Sequence, residues 1–482
     1  MQSSLLWQAA SIEIFIFIAA CAVMLADLFL SISWRTRLHW AVIASLWVAA
    51  AASFAAVGND PIVALHGFYV SDGISNAAKG LILAAAAGSL MFSRHALRVN
   101  RIFNGDFLAL VLFSVLGMLV IASAAHLLSL YLGLELMSLC LYALIAMRRE
   151  NTSASEAAIK YFVLGALASG LLLYGISMLY GATGKLNIAD IAYAIANLDE
   201  TNTAIRAVLI LGVVFTVTGM GFKLGAAPFH MWLPDVYQGA PAPVTLFIAA
   251  APKIAALAMM LRVLPQALPL FVNDWQQMLM VLALMSLAIG NITAIAQTNL
   301  KRMLAYSAIA HSGFIVLGVL SGGGGAALFY VAAYALMTIG GFGVIVFLSI
   351  GGRERAELAD MRGMAQRNWL VATTVAILML SMAGVPPFVG FIAKLTVLES
   401  VISAGFIWLA VGAVLLSVVG AFYYLRIIRL MFFESAPASD NKAIVLRPSA
   451  TLLLAAIAIL VVWYGLFPGD LLTFFELAAS TI

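Results

Sequence analysis

The sequence predicts an all-α polytopic membrane protein of fourteen transmembrane helices, with two inverted five-helix repeats and broken helices at positions seven and twelve. Three observations carry this reading. The chain of 482 residues is 64% hydrophobic and only 10% charged, where soluble domains hold about 25% charged residues. Apolar stretches of about 20 residues, the length that crosses a bilayer core, recur from end to end. Two of those stretches are interrupted by a Gly/Pro cluster at corresponding places.

Taken in order, the spans fall at 5–30, 39–57, 75–93, 107–124, 126–147, 158–181, 205–226 with a continuation to 240, 243–264, 274–296, 303–320, 325–350, 369–400, 403–431 and 449–468. The seventh is too long for one helix, since residues 205–240 would reach roughly 54 Å against a core of about 30 Å. Its break is written as Gly225-Ala226-Ala227-Pro228, and the twelfth span breaks at Gly384-Val385-Pro386-Pro387. Proline removes a backbone donor and frees a carbonyl, and inside a membrane that carbonyl must meet water or a polar side chain.

Basic residues orient the bundle. Of 25 Lys and Arg, seventeen from Arg35 to Arg447 are counted with the loops and span ends that follow odd-numbered spans, three (Lys185, Arg206 and Arg262) with the loops and ends of even-numbered ones, and five lysines lie well within spans. The positive-inside rule puts the odd loops, with Lys301 and Arg302 at the edge of span ten, in the cytoplasm and both termini outside. Spans four to eight and nine to thirteen form two blocks of five, and an odd number of spans inverts the second relative to the first. The organisation is therefore 1–103 (spans one to three), 104–268 (first repeat), 269–435 (inverted repeat) and 436–482 (span fourteen). Broken helices at matching places in inverted halves are the sequence pointer to a transport path.

Charges inside the spans point to the chemistry. Glu135, Lys223, Lys253 and Lys394 are central or beside a break, and Lys160 lies nearer the start of its span. Each central charge costs about 2.5–3.5 kcal/mol on insertion scales, so such residues face a bundle interior or a wet path. Glu135, with Ser129, Tyr131 and Ser138 on its own helix, is expected to turn inward toward a cation. A Glu135–Lys223 pair that can be made and broken would act as a proton switch. His230 lies in the wet break, and His311 sits beside Ser307 and Ser312 as a relay. Glu13 and Lys79 are left outside this set.

Other classes are excluded. There is no Walker sequence or dinucleotide fingerprint, and Gly322–Gly325 reads as a turn rather than a phosphate loop. Cys21 and Cys140 form no ligand pattern. The basic residues sit in short loops between spans, so the chain is expected to bind no nucleic acid, metal or cofactor.

The stretches KLGAAPFHMWLPDVYQGAPAPVT (Lys223–Thr245), NLKRMLAYSAIAHSG (Asn299–Gly313) and SMAGVPPFVGFIAKLTVL (Ser381–Leu398) resemble the proton-conducting membrane family of respiratory complex I. That family comprises the antiporter-like L, M and N subunits of NADH:quinone oxidoreductase and the large subunits of multisubunit cation/proton antiporters. The resemblance covers most of spans four to thirteen. Within it the chain is more similar to the N type. It ends soon after span fourteen, without the L type's lateral helix, and has Lys394 where the M type has a glutamate.

The resemblance implies that Glu135, Lys223, Lys253 and Lys394 are the family's fifth-, seventh-, eighth- and twelfth-helix charges, and that Lys160 and His230 join its polar axis. It also implies a bacterial inner-membrane location. The expected partners are M- and L-type and small membrane subunits in the lipid bilayer. FMN, iron–sulfur clusters, NADH and quinone are expected in other subunits. The alternative is a subunit of a multisubunit sodium/proton antiporter.

Overall fold

The computed structural model of the chain describes residues 9–29, 31–198, 202–349, 354–436 and 448–480. The start of the first span, Arg353, Lys442, Arg447 and both chain ends lie outside the described residues. Helices α1 (Ser11–Asp27), α2 (Ile32–Ala55), α3 (Gly73–Val99), α4 (Gly105–Ser123), α5 (Leu127–Ala146) and α6 (Thr152–Thr183) correspond to the first six spans. After the short α7 (Ile188–Ala196), the seventh span is split into α8 (Thr203–Leu224) and α9 (Trp232–Gly239). Next come α10 (Ala242–Ala267), α11 (Val272–Ile295), α12 (Leu300–Leu320) and α13 (Gly324–Leu348). A single turn, α14 (Met364–Arg367), precedes the twelfth span, which is split into α15 (Trp369–Ala383) and α16 (Val389–Ser403). The chain continues through α17 (Ile407–Phe433), α18 (Pro448–Leu466) and α19 (Gly469–Ala479).

Twelve of the described helices are long and apolar enough to cross a membrane, so the protein is a multi-pass membrane protein. The described part of α1 has 17 residues and the halves α15 and α16 have 15 each, which is short for a lone crossing.

Many starts are set by a local device that the sequence spells out. Asn104, Asn151, Asn187, Asn202, Asn299 and Asn368 each precede a helix and accept a hydrogen bond from one of its first N–H groups. Asp72 does the same for α3 in a capping box with Ser75. Such caps satisfy donors that the helix cannot. The Asn151 cap carries α6 back to Thr152, six residues before the expected start at 158.

Three elements depart from the expected loops. Residues Ile62–Ala64 and Tyr69–Ser71 pair as a small antiparallel hairpin. The amphipathic α7 tucks Ile188, Ile191 and Ile195 inward, and α19 packs on α13 and α3. Asn187 ties α7 to the hairpin by donating to the Gly67 carbonyl at 2.9 Å.

The centre of the bundle is α10, buried along almost its whole length and packed against α3 and α13. Helices α12 and α13 are also enclosed, whereas α6, α17 and α18 keep broad apolar faces outward. Arg262, counted with the end of the eighth span, lies inside α10 and is 2% exposed. Lys301, expected at the cytoplasmic edge, is also 2% exposed, within the first turn of α12. Both are removed from the surface by ion pairs described below.

Candidate functional site

The two breaks are built alike. At the first, Gly225 takes a left-handed conformation (φ 74°), its N–H donates to Phe222 O, and the Ala226 N–H reaches back to Gly221 O. At the second, Gly384 (φ 87°) donates to Ser381 O, and Val385 N–H reaches Leu380 O. Both are Schellman endings, which satisfy the earlier carbonyls of the last turn and leave the final ones open.

Lysines occupy those open carbonyls. Lys253, from α10, donates to Leu224 O at 2.7 Å, to Ala308 O at 3.1 Å and to Ser312 Oγ at 2.5 Å. Its head also lies 5.6 Å from the centre of the Tyr334 ring. At the second break Lys394 reaches back from α16 to Met382 O at 3.0 Å and Ala383 O at 2.9 Å, and donates to Ser417 Oγ at 2.8 Å. A cation at a helix C-terminus meets the negative end of the helix dipole, so both ammonium groups sit where the backbone itself favours positive charge.

Lys223 is held differently. It lies in the last turn of α8 and donates to Ser138 Oγ (2.9 Å) on α5 and Ser169 Oγ (3.2 Å) on α6. The expected Glu135–Lys223 ion pair is not formed: among the described residues Glu135 makes no salt bridge, and its Oε1 is buried without a hydrogen-bond partner. Ser138, one turn along α5, takes the lysine instead. Helix α5 is itself fixed against α4 by a close glycine crossing, where a Cβ on Gly117 would lie 2.6 Å from Gly133 O.

His311 lies between the two break lysines. Its Nδ1 is 2.6 Å from Tyr330 OH and its Nε2 3.3 Å from Tyr424 OH, which in turn is 2.5 Å from Ser307 Oγ. A small cavity touches His311, Lys394, Ser417 and Tyr424 together. Five expected residues are thus joined in one series. Glu135 neighbours Lys223 through Ser138, Lys223 precedes the Leu224 carbonyl that Lys253 holds, Ser312 adjoins His311, and His311 shares Tyr424 and the cavity with Lys394.

The other two expected residues lie apart from that series. Lys160 is half-exposed and pairs with Glu156 and Asp235, both at 2.8 Å. Asp235 is also held by Arg302 at 2.6 Å. Lys160, Glu156 and Asp235 line a polar cavity of about 400 Å³ with Lys301 and Glu354, which themselves pair at 2.8 Å. His230 is in the turn between α8 and α9; its Nδ1 is buried without a hydrogen-bond partner, and no hydrogen bond joins its ring to the lysines among the described residues.

Sequence reasoning missed a second charged cluster. Lys79 pairs with Glu13 at 2.8 Å and donates to Tyr69 OH at 2.6 Å. Arg262 forms a two-pronged pair with Asp72 (2.7 and 2.6 Å) and donates to Ala122 O. Burial by itself raises the Asp72 carboxyl, but the Arg262 charge and hydrogen bonds, with those of Ser75, outweigh it and hold it below the ordinary value. The available signal was the presence of opposite charges within reach of apolar segments, each needing a partner.

The family model described as NADH:quinone oxidoreductase/Mrp antiporter, transmembrane region, matches residues 124–420. The chain is 52% identical over 415 residues to NADH-quinone oxidoreductase subunit N of Thiobacillus denitrificans, covering 86% of this chain and 85% of that one. It superimposes on a chain of respiratory complex I from Thermus thermophilus with a TM-score of 0.81 at 34% identity, covering 96% and 98% of the two chains. A chain of the Mrp complex from Dietzia gives a TM-score of 0.82 at 22% identity, covering 98% and 97%, a likeness of fold alone.

Proposed function

The chain belongs to the NADH:quinone oxidoreductase/Mrp antiporter transmembrane family, and we propose that the buried Lys223, Lys253 and His311, with the half-buried Glu135 and Lys394, carry protons as a membrane subunit of NADH-quinone oxidoreductase. A proton-translocating subunit of that enzyme is what its relatives at 52% and 34% identity support. The antiporter reading has in its favour a likeness of fold at 22% identity.

The observation that carries the proposed path is the pair of lysines at the two breaks. Lys253 holds the last carbonyl of the first broken helix, Leu224 O, and Lys394 holds the last two of the second, Met382 O and Ala383 O. An ammonium there can lose its proton to a hydrated neighbour and regain it from another, while Tyr424 and His311 offer hydrogen-bonded steps between the two sites. Movement of charge at one lysine changes the potential felt by the next, because interactions in a low-dielectric interior are weakly screened. Coupling thus runs by electrostatic rearrangement along the row. Lys160 and Asp235, in the polar cavity, form the water-facing end of the first half.

The remaining assignments follow from this reading. The chain crosses a bacterial inner membrane fourteen times, with both termini on the periplasmic side and its two five-helix blocks inverted. Redox chemistry, with FMN, iron–sulfur clusters, NADH and quinone, resides in partner subunits, and the lateral partners are the M- and L-type and small membrane subunits. Catalysis by this chain is then translocation alone. The test is NADH-driven proton uptake by inverted membrane vesicles carrying Lys223→Ala: an assembled complex that pumps weakly supports the path, and wild-type pumping overturns the role of Lys223.

A further inference from the structure

Two lysines on different helices hold partners of the same kinds. Lys253 donates to two main-chain carbonyls and to Ser312 Oγ; Lys394 donates to two main-chain carbonyls and to Ser417 Oγ. An ammonium has three N–H donors and no acceptor, so three oxygens fill it. A neutral amine has two N–H groups and a lone pair that needs a donor. Carbonyls only accept, so the serine hydroxyl is the one member of each set able to serve both forms.

Ser312 has the geometry for that double role. Its Oγ is within 2.9 Å of Leu224 O and 2.8 Å of Ala308 O, the same two carbonyls that Lys253 holds. With the lysine charged, the hydroxyl accepts from it and turns its hydrogen to a carbonyl. With the lysine neutral, the hydroxyl can turn to the nitrogen while the two remaining lysine N–H groups keep both carbonyls satisfied. No buried polar group is then orphaned in either state, which matters because an orphaned one is costly.

We propose that Ser312 and Ser417 are positioning residues that let Lys253 and Lys394 change charge without breaking the hydrogen bonding of the helix breaks. The inference rests on the reading that these lysines exchange protons. A hydrogen bond to a charged group is stronger than one to a neutral group, so loss of the hydroxyl weakens the charged form more.

The experiment is NADH-driven pumping against pH in inverted vesicles containing the assembled complex with Ser312→Ala, Ser417→Ala or Ser312→Thr. The alkaline limb of the profile is expected to move to lower pH by about one unit in each Ala variant, the size of a single charge-assisted bond. Threonine, which keeps the hydroxyl, is expected to hold the wild-type profile. Ser312→Cys keeps nearly the same volume with a weaker hydrogen bond and is expected to shift the same way by less, so the proposal stays open to refutation if an Ala variant fails to assemble. An unshifted limb in the assembled Ala or Cys variants, or equal impairment by Ala and Thr, overturns the proposal. Lys253→Ala in the same assay separates the two failures: wild-type pumping there overturns the proton path itself, whereas lost pumping with unshifted serine variants overturns only the role of the hydroxyls.

Discussion

The Lys253 ammonium lies 2.7 Å from the carbonyl oxygen of Leu224, so the last peptide of α8 is held across the helix break by a cation from α10. Lys394 and Ala383 repeat the relationship at 2.9 Å within the other broken span. A helix ending in the membrane interior must satisfy its last carbonyls, and these two endings do so with groups that can change charge. The requirement that makes the break stable is therefore also the one that places a proton carrier there.

Gly384→Ala is expected to impair pumping by displacing Lys394. A Cβ at this position would lie 2.8 Å from Lys394 Cδ and 3.1 Å from its Nζ. The left-handed backbone adds about 1–2 kcal/mol of strain. Gly405, at φ 89° with nothing within 4 Å of its Cβ position, is the control, since Gly405→Ala carries the backbone strain alone. Pumping per NADH oxidised, measured for both variants, should fall in the first only.

Glu135 and Lys223 are expected to be energetically coupled although no ion pair joins them, because Lys223 donates to Ser138, one turn along α5 from Glu135. In a double-mutant cycle with Glu135→Gln and Lys223→Ala, pumping rates should depart from additivity by about 0.5–3 kcal/mol when expressed as free energies. Additive effects would place the two groups in separate paths.

Arg262→Met is expected to destabilise the subunit by about 3–5 kcal/mol, since it strands the Asp72 carboxylate. Asp72→Leu combined with Arg262→Met should recover most of that loss, as apolar replacements of buried pairs often do. Protease resistance of the subunit in detergent reads both. The pH dependence has a definite sign. The native Asp72 carboxyl titrates below its unfolded value, so its contribution is complete above that value, near pH 4, and fades only as the pH falls through the lower native one.

Much of this was legible in the residues. GAAP and GVPP mark the breaks, and asparagines before apolar runs mark six helix starts. The partners of the break lysines were not legible, because Leu224 O, Met382 O and Ala383 O are main-chain atoms whose availability depends on how the last turn closes, and Ala308 O comes from a separate helix. The Glu135–Lys223 pair, expected to be made and broken, is unmade here for a related reason: the serine hydroxyls of Ser138 and Ser169 take the lysine instead. Arg262 lies only a few residues from the end of its helix, so its burial turned on Asp72 arriving from a distant loop. The hairpin strands, at three residues each, are too short to show alternation. By contrast α7 did carry a signal, in Asn187 followed by Ile188, Ile191 and Ile195 on one face.

The central claim is that the buried lysines exchange protons rather than supply fixed charge, and Lys394→Arg tests it most directly. Arginine keeps the positive charge and can still donate to carbonyls, yet it does not release its proton in proteins. Measured as NADH-driven proton uptake by sealed inverted vesicles, with assembly verified, the variant is predicted to lose most of its pumping despite retaining the charge at the break. Wild-type uptake with arginine in place would contradict the account, because Lys394 would then never need to give up a proton during turnover.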